Sequence, residues 1–223
     1  MYAKPSDVPK GIELADASRL MPRSKATAHA ETGSFALAAD FFRYEVQAAE
    51  LGVYVDCDCY CVEPLEETEY LMGWESQSQL CPAVLRLPKH SPLLADLRTI
   101  GSVRAFIPPW LPRRRRRKLM LRAAIGMPVP LAKMPWGTAG PIALTYYAQK
   151  HGLADRALAP DILYGLAPGH AGLLLEPGLS IHHFATPRTR VIHLWNEYSR
   201  RSNRTPHPNS PLAKIIEEGM RIN

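Results

Sequence analysis

An α/β fold is predicted by three observations: helix-periodic stretches alternate with short β-branched runs, hydrophobic residues make up 46% of the chain, and no internal repeat or low-complexity linker interrupts it. At 223 residues the length suits a single enzyme-sized domain over residues 1–223. The 21 prolines punctuate long loops, above all between Ile107 and Pro135.

In chain order, Ile12 to Leu14 reads as a first short strand. The spacing then predicts a helix over Phe35 to Glu50, capped by Ser34 and stopped at Gly52 in the left-handed conformation. Leu37, Phe41, Tyr44, Ala48 and Leu51 recur at helical spacing and make a stripe to bury. A strand over Val53 to Asp58 comes next, then strand-like Tyr70 to Trp74 and Ala83 to Leu87, and a helix over Pro92 to Arg98. Later come a helix over Pro141 to Lys150, a strand over Val191 to Leu194 and a short terminal helix near Leu212 to Met220.

The strand beginning at Val53 runs straight into Asp56-Cys57-Asp58. In extended backbone alternate side chains share a face, so Asp56 and Asp58 are expected to project together with Cα atoms roughly 6.8 Å apart. That is too far for equivalent places on one ion without a bend at Asp58; it suits one ligand and one outer contact. Hard cations such as Mg²⁺ or Mn²⁺ take oxygen ligands and keep phosphate oxygens in their shell, so the pattern fits a phosphate-bearing substrate. Two solvated acids at a strand end would read the same way. Asp40 and Arg43 stand at i and i+3 on the preceding helix, close enough to pair. They are either an exposed ion pair of little energetic worth or a carboxylate and guanidinium aimed at sugar hydroxyls and phosphate.

The stretch Gly33 to Leu65, with Ala39-Asp40-Phe41-Phe42-Arg43-Tyr44 and then Gly52-Val53-Tyr54-Val55-Asp56-Cys57-Asp58, resembles the glycosyltransferases with a D-x-D sugar-binding region. That family includes initiating mannosyltransferases, capsular polysaccharide transferases and, more distantly, glucosylating toxins. Trp136-Gly137-Thr138-Ala139-Gly140-Pro141 is similar to its Gly-Pro helix start, and Val191-Ile192-His193-Leu194-Trp195-Asn196-Glu197 to its closing His-Leu-Trp-Asn motif. The resemblance runs from about Val8 to about Arg201. It implies a GT-A-like fold, with a mixed central sheet flanked by helices. It also implies a catalytic role for Asp56 and Asp58 around Mn²⁺ or Mg²⁺, with His193 completing the metal shell or touching the diphosphate. Asp40, Arg43, Tyr54, Gly140, Trp195 and Asn196 then contact substrate. The implied donor is a nucleotide-diphosphate sugar and the acceptor a saccharide or lipid-linked hydroxyl, with retention at the anomeric carbon. No residue identifies itself as a nucleophile.

The chain departs from the family pattern at Leu51-Gly52, where paired glycines are usual, and at Cys81-Pro82, where an asparagine is expected. The segment Val8 to Leu14 resembles the part of the family pattern just after its first strand and helix, so that nucleotide-binding element is expected to be missing. A late start, a trimmed chain and a degenerate member that binds donor poorly each account for that.

The formal charge of +6 and pI near 9.2 owe much to Arg113 through Lys118. This run reads as a solvated helix start or loop, or as a patch for anionic lipid headgroups or a phosphate-linked acceptor. Without a recognisable nucleic-acid-binding motif, nucleic acid is a minor reading. No apolar run approaches the ~18 residues that span a bilayer, and the first residues lack the form of a signal peptide. The expected location is therefore cytoplasmic, with peripheral contact at the inner membrane face. Cys57, Cys59 and Cys61 are expected on the strand face opposite Asp56 and Asp58, as reduced thiols turned toward sheet packing; a C-x-C-x-C metal site is a minor alternative. His170, His182 and His183 read as loop residues. His193, inside an apolar strand, must find a partner or a ligand. An apolar strand before D-x-D also begins the haloacid-dehalogenase-like phosphohydrolases, in which Asp56 would be a covalent nucleophile. A noncatalytic sugar-nucleotide-binding remnant is the third class.

Overall fold

Tyr44 is fully buried on the helix Ala36–Ala48 (α1), with Leu37, Phe41 and Ala48 packed around it, in the computed structural model, which describes Val8 and residues 11–221. Leu51, expected in the same stripe, is exposed instead, because the helix has already ended at Ala48. Glu50 takes the left-handed conformation (φ 55°), and Gly52 (φ 100°) turns the chain into the first strand. Ser34 still serves the start of α1: its hydroxyl accepts the Ala36 N–H at 3.2 Å.

The strands are Tyr54–Val55 (β1), Cys59–Cys61 (β2), Leu71–Trp74 (β3), Leu80–Arg86 (β4) and Val191–His193 (β5). They form two small antiparallel sheets, β1-β4-β3 and β2-β5, in place of the expected mixed central sheet; a single bridge, Gly73 to Leu158, is parallel among the described residues. The helices Pro92–Ser102 (α2) and Pro141–Lys150 (α4) pack with α1 against Leu80, Leu85 and Leu87 to build one core cluster. Cys81, Ala83 and Val84 of β4 enter a second cluster with Leu163 of the short helix Pro160–Leu163 (α5) and with Val191 and Ile192 of β5. The fold is thus mixed α and β, with β4 contributing to both cores. The remaining α-helices are Arg113–Ala124 (α3), Asn196–Ser202 (α6) and Pro211–Arg221 (α7).

Three expectations about the strands are corrected. Ile12 to Leu14 is irregular and exposed, and no strand among the described residues pairs with it. Part of the front segment, Pro9 and Lys10, lies outside the described residues. The strand expected over Val53 to Asp58 lasts for two residues only, because Cys57 and Asp58 form a turn in which the Cys59 N–H bonds Asp56 O at 3.1 Å. Period-two alternation ends there, so Cys57 and Cys61 are exposed rather than turned to the packing; all four thiols are free.

Pro82, inside β4, has no N–H to give the ladder, and the pairing with β3 shifts register between Leu71 and Gly73. The buried hydroxyl of Tyr164 serves this irregularity: it accepts the Val84 N–H at 2.9 Å and donates to Cys81 O at 3.0 Å. Replacing Tyr164 with Phe removes both of these bonds from the strand, and denaturant unfolding should show a loss of about 1–3 kcal/mol.

Candidate functional site

Asp40 and Arg43 lie one turn apart on α1, and the guanidinium of Arg43 is buried with only 5% of its side chain exposed. Its Nη2 lies 3.6 Å from Asp40 Oδ1 and 3.3 and 3.4 Å from the two oxygens of Asp56, while its Nε donates to Ala39 O at 3.2 Å. The Tyr54 ring stacks 4.9 Å from the guanidinium carbon, and its hydroxyl donates to Asp56 Oδ1 at 2.7 Å. The pair seen in sequence is therefore a buried network. Burial pulls the Arg43 guanidinium down, but the charges of Asp56 and Asp40 overcome it and hold the group well above its ordinary range. Burial also drives the Asp40 carboxyl up to about 7; Arg43 pulls it back and Asp56 adds to the rise.

Gly140 owes its identity to Asp40. A Cβ there would lie 2.5 and 2.6 Å from the carboxylate oxygens, closer than atoms can pack. The start of α4 is thus pressed onto the acid, and the Tyr44 hydroxyl secures the same approach by donating to Ala139 O at 2.8 Å.

Asp58 faces a different neighbourhood. Past the turn, its backbone oxygen accepts the Leu194 N–H at 2.7 Å, its Oδ1 lies 3.1 Å from His193 Nε2, and its Oδ2 accepts the Asn196 N–H at 2.9 Å. Burial pushes the Asp58 carboxyl up, but the His193 contacts and the Asn196 N–H outweigh that and hold it below its usual range. Cys59 is the cross-strand partner of His193, so their side chains share a face. One ligand atom each from Asp58, Cys59 and His193 lie within 4.8 Å of one another, and the buried Nδ1 of His193 has no hydrogen-bond partner. The His193 ring also stacks on Trp195, with centroids 4.0 Å apart. Trp195 sits in the left-handed region (φ 51°), strained for a bulky residue, and its indole N–H holds it in place by donating to Leu166 O at 2.7 Å.

Both groups open on one cavity of about 590 Å³, lined by Asp40, Arg43, Asp56, Asp58, His193 and Trp195. Tyr54 and Gly140 stand behind it, positioning Asp56 and admitting Asp40 respectively. Asn196 takes part through its backbone N–H, with the residue itself exposed. Asp56 and Asp58 do not share a face: the turn sends the first to α1 and the second to β5. Sequence reasoning missed Cys59 as a partner of Asp58, and it missed Phe35, Glu75 and Tyr198 at the cavity wall. Trp136, within the quoted Trp-Gly-Thr-Ala-Gly-Pro segment, lines it too. No signal in the chain marks Glu75, which reaches the cavity only through the course of the loop after β3.

Comparison with family models, with characterised proteins and with solved structures returns no match to this chain.

The Asp40 carboxyl binds its proton more tightly in the folded protein, at about 7 against an ordinary 3.8, so its contribution to stability is complete below about pH 4 and is lost as pH rises to about 7. Chemical denaturation across that range should show wild type losing stability relative to Asp40→Asn, with a flat difference above it; a constant difference throughout would contradict the assignment.

Proposed function

We propose that this chain is a metal-dependent glycosyltransferase that moves a hexose from a nucleotide-diphosphate sugar to a saccharide or lipid-linked hydroxyl, with retention. The observation that carries this reading is the convergence, on one cavity, of the Asp40–Arg43–Asp56 network and the Asp58–His193 pair, which Cys59 adjoins from outside the cavity wall. Its size is that of a pocket for a small ligand. The resemblance of the Asp56-Cys57-Asp58, Trp136–Pro141 and His193–Asn196 segments to one transferase family supports the same reading.

The residues fit a divalent cation. Asp58 supplies a carboxylate held in its ionised form and His193 an imidazole; burial and the two acids hold the Cys59 thiol protonated, so it would join as a ligand only by giving up that proton under the cation's charge. The carboxylate suits either Mg²⁺ or Mn²⁺, and the imidazole donor tips the pair toward Mn²⁺. Asp56 stands outside this donor set, engaged by Arg43 and Tyr54, and is better disposed to contact the sugar or ribose. When bound, the cation supplies positive charge where the departing diphosphate gathers negative charge. Asp40 and Arg43 orient the donor sugar by its hydroxyls, lowering the entropic cost of alignment. Trp136, Trp195 and Tyr198 offer aromatic faces on which a sugar or base can stack. The phosphohydrolase alternative is less well supported, since an Asp56 nucleophile would have both oxygens against Arg43 and one bonded by Tyr54.

Sugar-nucleotide turnover with Mn²⁺ should fall by about a hundredfold or more in Asp58→Ala and in His193→Ala. Tryptophan fluorescence, reporting on Trp195 against His193, should respond to Mn²⁺ in wild type and not in Asp58→Ala. Equal turnover in wild type and variants would remove the metal role. Donor binding without turnover would leave a noncatalytic binding protein.

A further inference from the structure

From Leu97 to Ala154 the chain contains no acidic residue, yet it carries the run Arg113 to Lys118 together with Arg98, Arg104, Arg122, Lys133 and Lys150. The run forms the first turns of α3, with no side-chain cap and no acid in the first turn. Cations at that end oppose the helix dipole, so this placement costs the helix stability. Packing recovers little of that cost, because no residue of α3 is fully buried and only Arg116, Leu119 and Ala123 are half-buried. Among the described residues no carboxylate pairs with any of these six side chains.

The same helix exposes apolar groups where a water-facing helix should be polar. Leu121 is 69% exposed and Ile125 71%, and Met120 and Met127 are exposed beside them. Arg114, Arg117 and Lys118 line one shallow groove with Leu121 and Ile125, so charge and apolar surface share a face. The segment is tied to the body just upstream, where Trp110 packs on Phe106, Tyr146 and Tyr147 with centroids 5.9, 5.3 and 6.0 Å apart.

We infer that α3 and the loop after it adsorb to an anionic phospholipid surface. Arg114, Arg117 and Lys118 meet the headgroup phosphates, and Leu121, Ile125 and Met127 enter the acyl boundary. Charge complementarity selects the anionic leaflet. The exposed aliphatic side chains favour a bilayer over a nucleic acid, which offers them no apolar phase to enter. This surface is independent of the proposed transferase reading and survives its failure.

Flotation of the full chain with vesicles of phosphatidylserine in phosphatidylcholine, and of phosphatidylcholine alone, tests it. Wild type should bind the first and not the second, and high salt should release it. The triple variant Arg114→Gln, Arg117→Gln, Lys118→Gln should bind roughly a hundredfold more weakly, at about fivefold for each charge removed. Leu121→Ser with Ile125→Ser should lose about tenfold with the charge intact. Thermal unfolding should stay unchanged in both variants, since all five substituted side chains are exposed. Failure to prefer anionic vesicles would overturn the inference. So would vesicle binding indifferent to the serine pair alongside tighter binding to duplex DNA, which would identify a nucleic-acid surface instead.

Discussion

The buried guanidinium of Arg43 is the constraint on which the site depends. One side chain contacts a carboxylate on its own helix and a second at the end of β1, so α1 and the first sheet are joined by charge as well as by the Tyr44 core. Leaving a buried ion without its partner costs about 3–5 kcal/mol, which makes this junction hard to loosen. Two acids and one base cannot all be charged cheaply away from water. Burial resolves the excess by raising Asp40, while Tyr54 and Arg43 secure Asp56. Gly140 completes the arrangement, since any side chain there would displace the Asp40 carboxylate and lift the start of α4.

The bend at Cys57 and Asp58 does the second half of the work. The Asp56 N–H still bonds Ala83 O at 2.7 Å, in the first sheet, and three residues later Cys59 pairs with His193 in the second. Passing from one sheet to the other within so few residues gives two neighbouring acids different jobs. Asp56 belongs to the arginine network, whereas Asp58 belongs with an imidazole, a thiol and a backbone N–H. Both remain on the same cavity because the sheets themselves are packed together through Val55 and Cys59 in the second core.

Elements whose pattern is local were legible in the sequence. The helix Pro141–Lys150 was legible end for end, and α1, β3 and β5 to within two residues at each boundary, because periodicity and Gly or Pro punctuation act over a few residues. Asp40 and Arg43 were legible as a pair for the same reason. The exposed Ile12 to Leu14, the short β1 and the outward Cys57 and Cys61 were not, since strand formation depends on partners distant in sequence. Cys59 packs against the second core as expected, but it was separated from Asp58 wrongly because strand alternation does not continue through a turn that the sequence leaves unannounced.

By itself, the sequence determined the residue types of the site, the helical spacing of Asp40 and Arg43, the close spacing of Asp56 and Asp58, and the concentration of positive charge at Arg113 to Lys118. Only the tertiary structure decided that Arg43 is buried between two acids, that Asp58 is joined by Cys59 and His193, and that α3 keeps Arg114, Arg117, Lys118 and Leu121 in solvent. The physical reason is that burial, and with it the strength of every charge interaction, depends on what folds against a residue from elsewhere in the chain, whereas spacing depends on the residue's own neighbours alone.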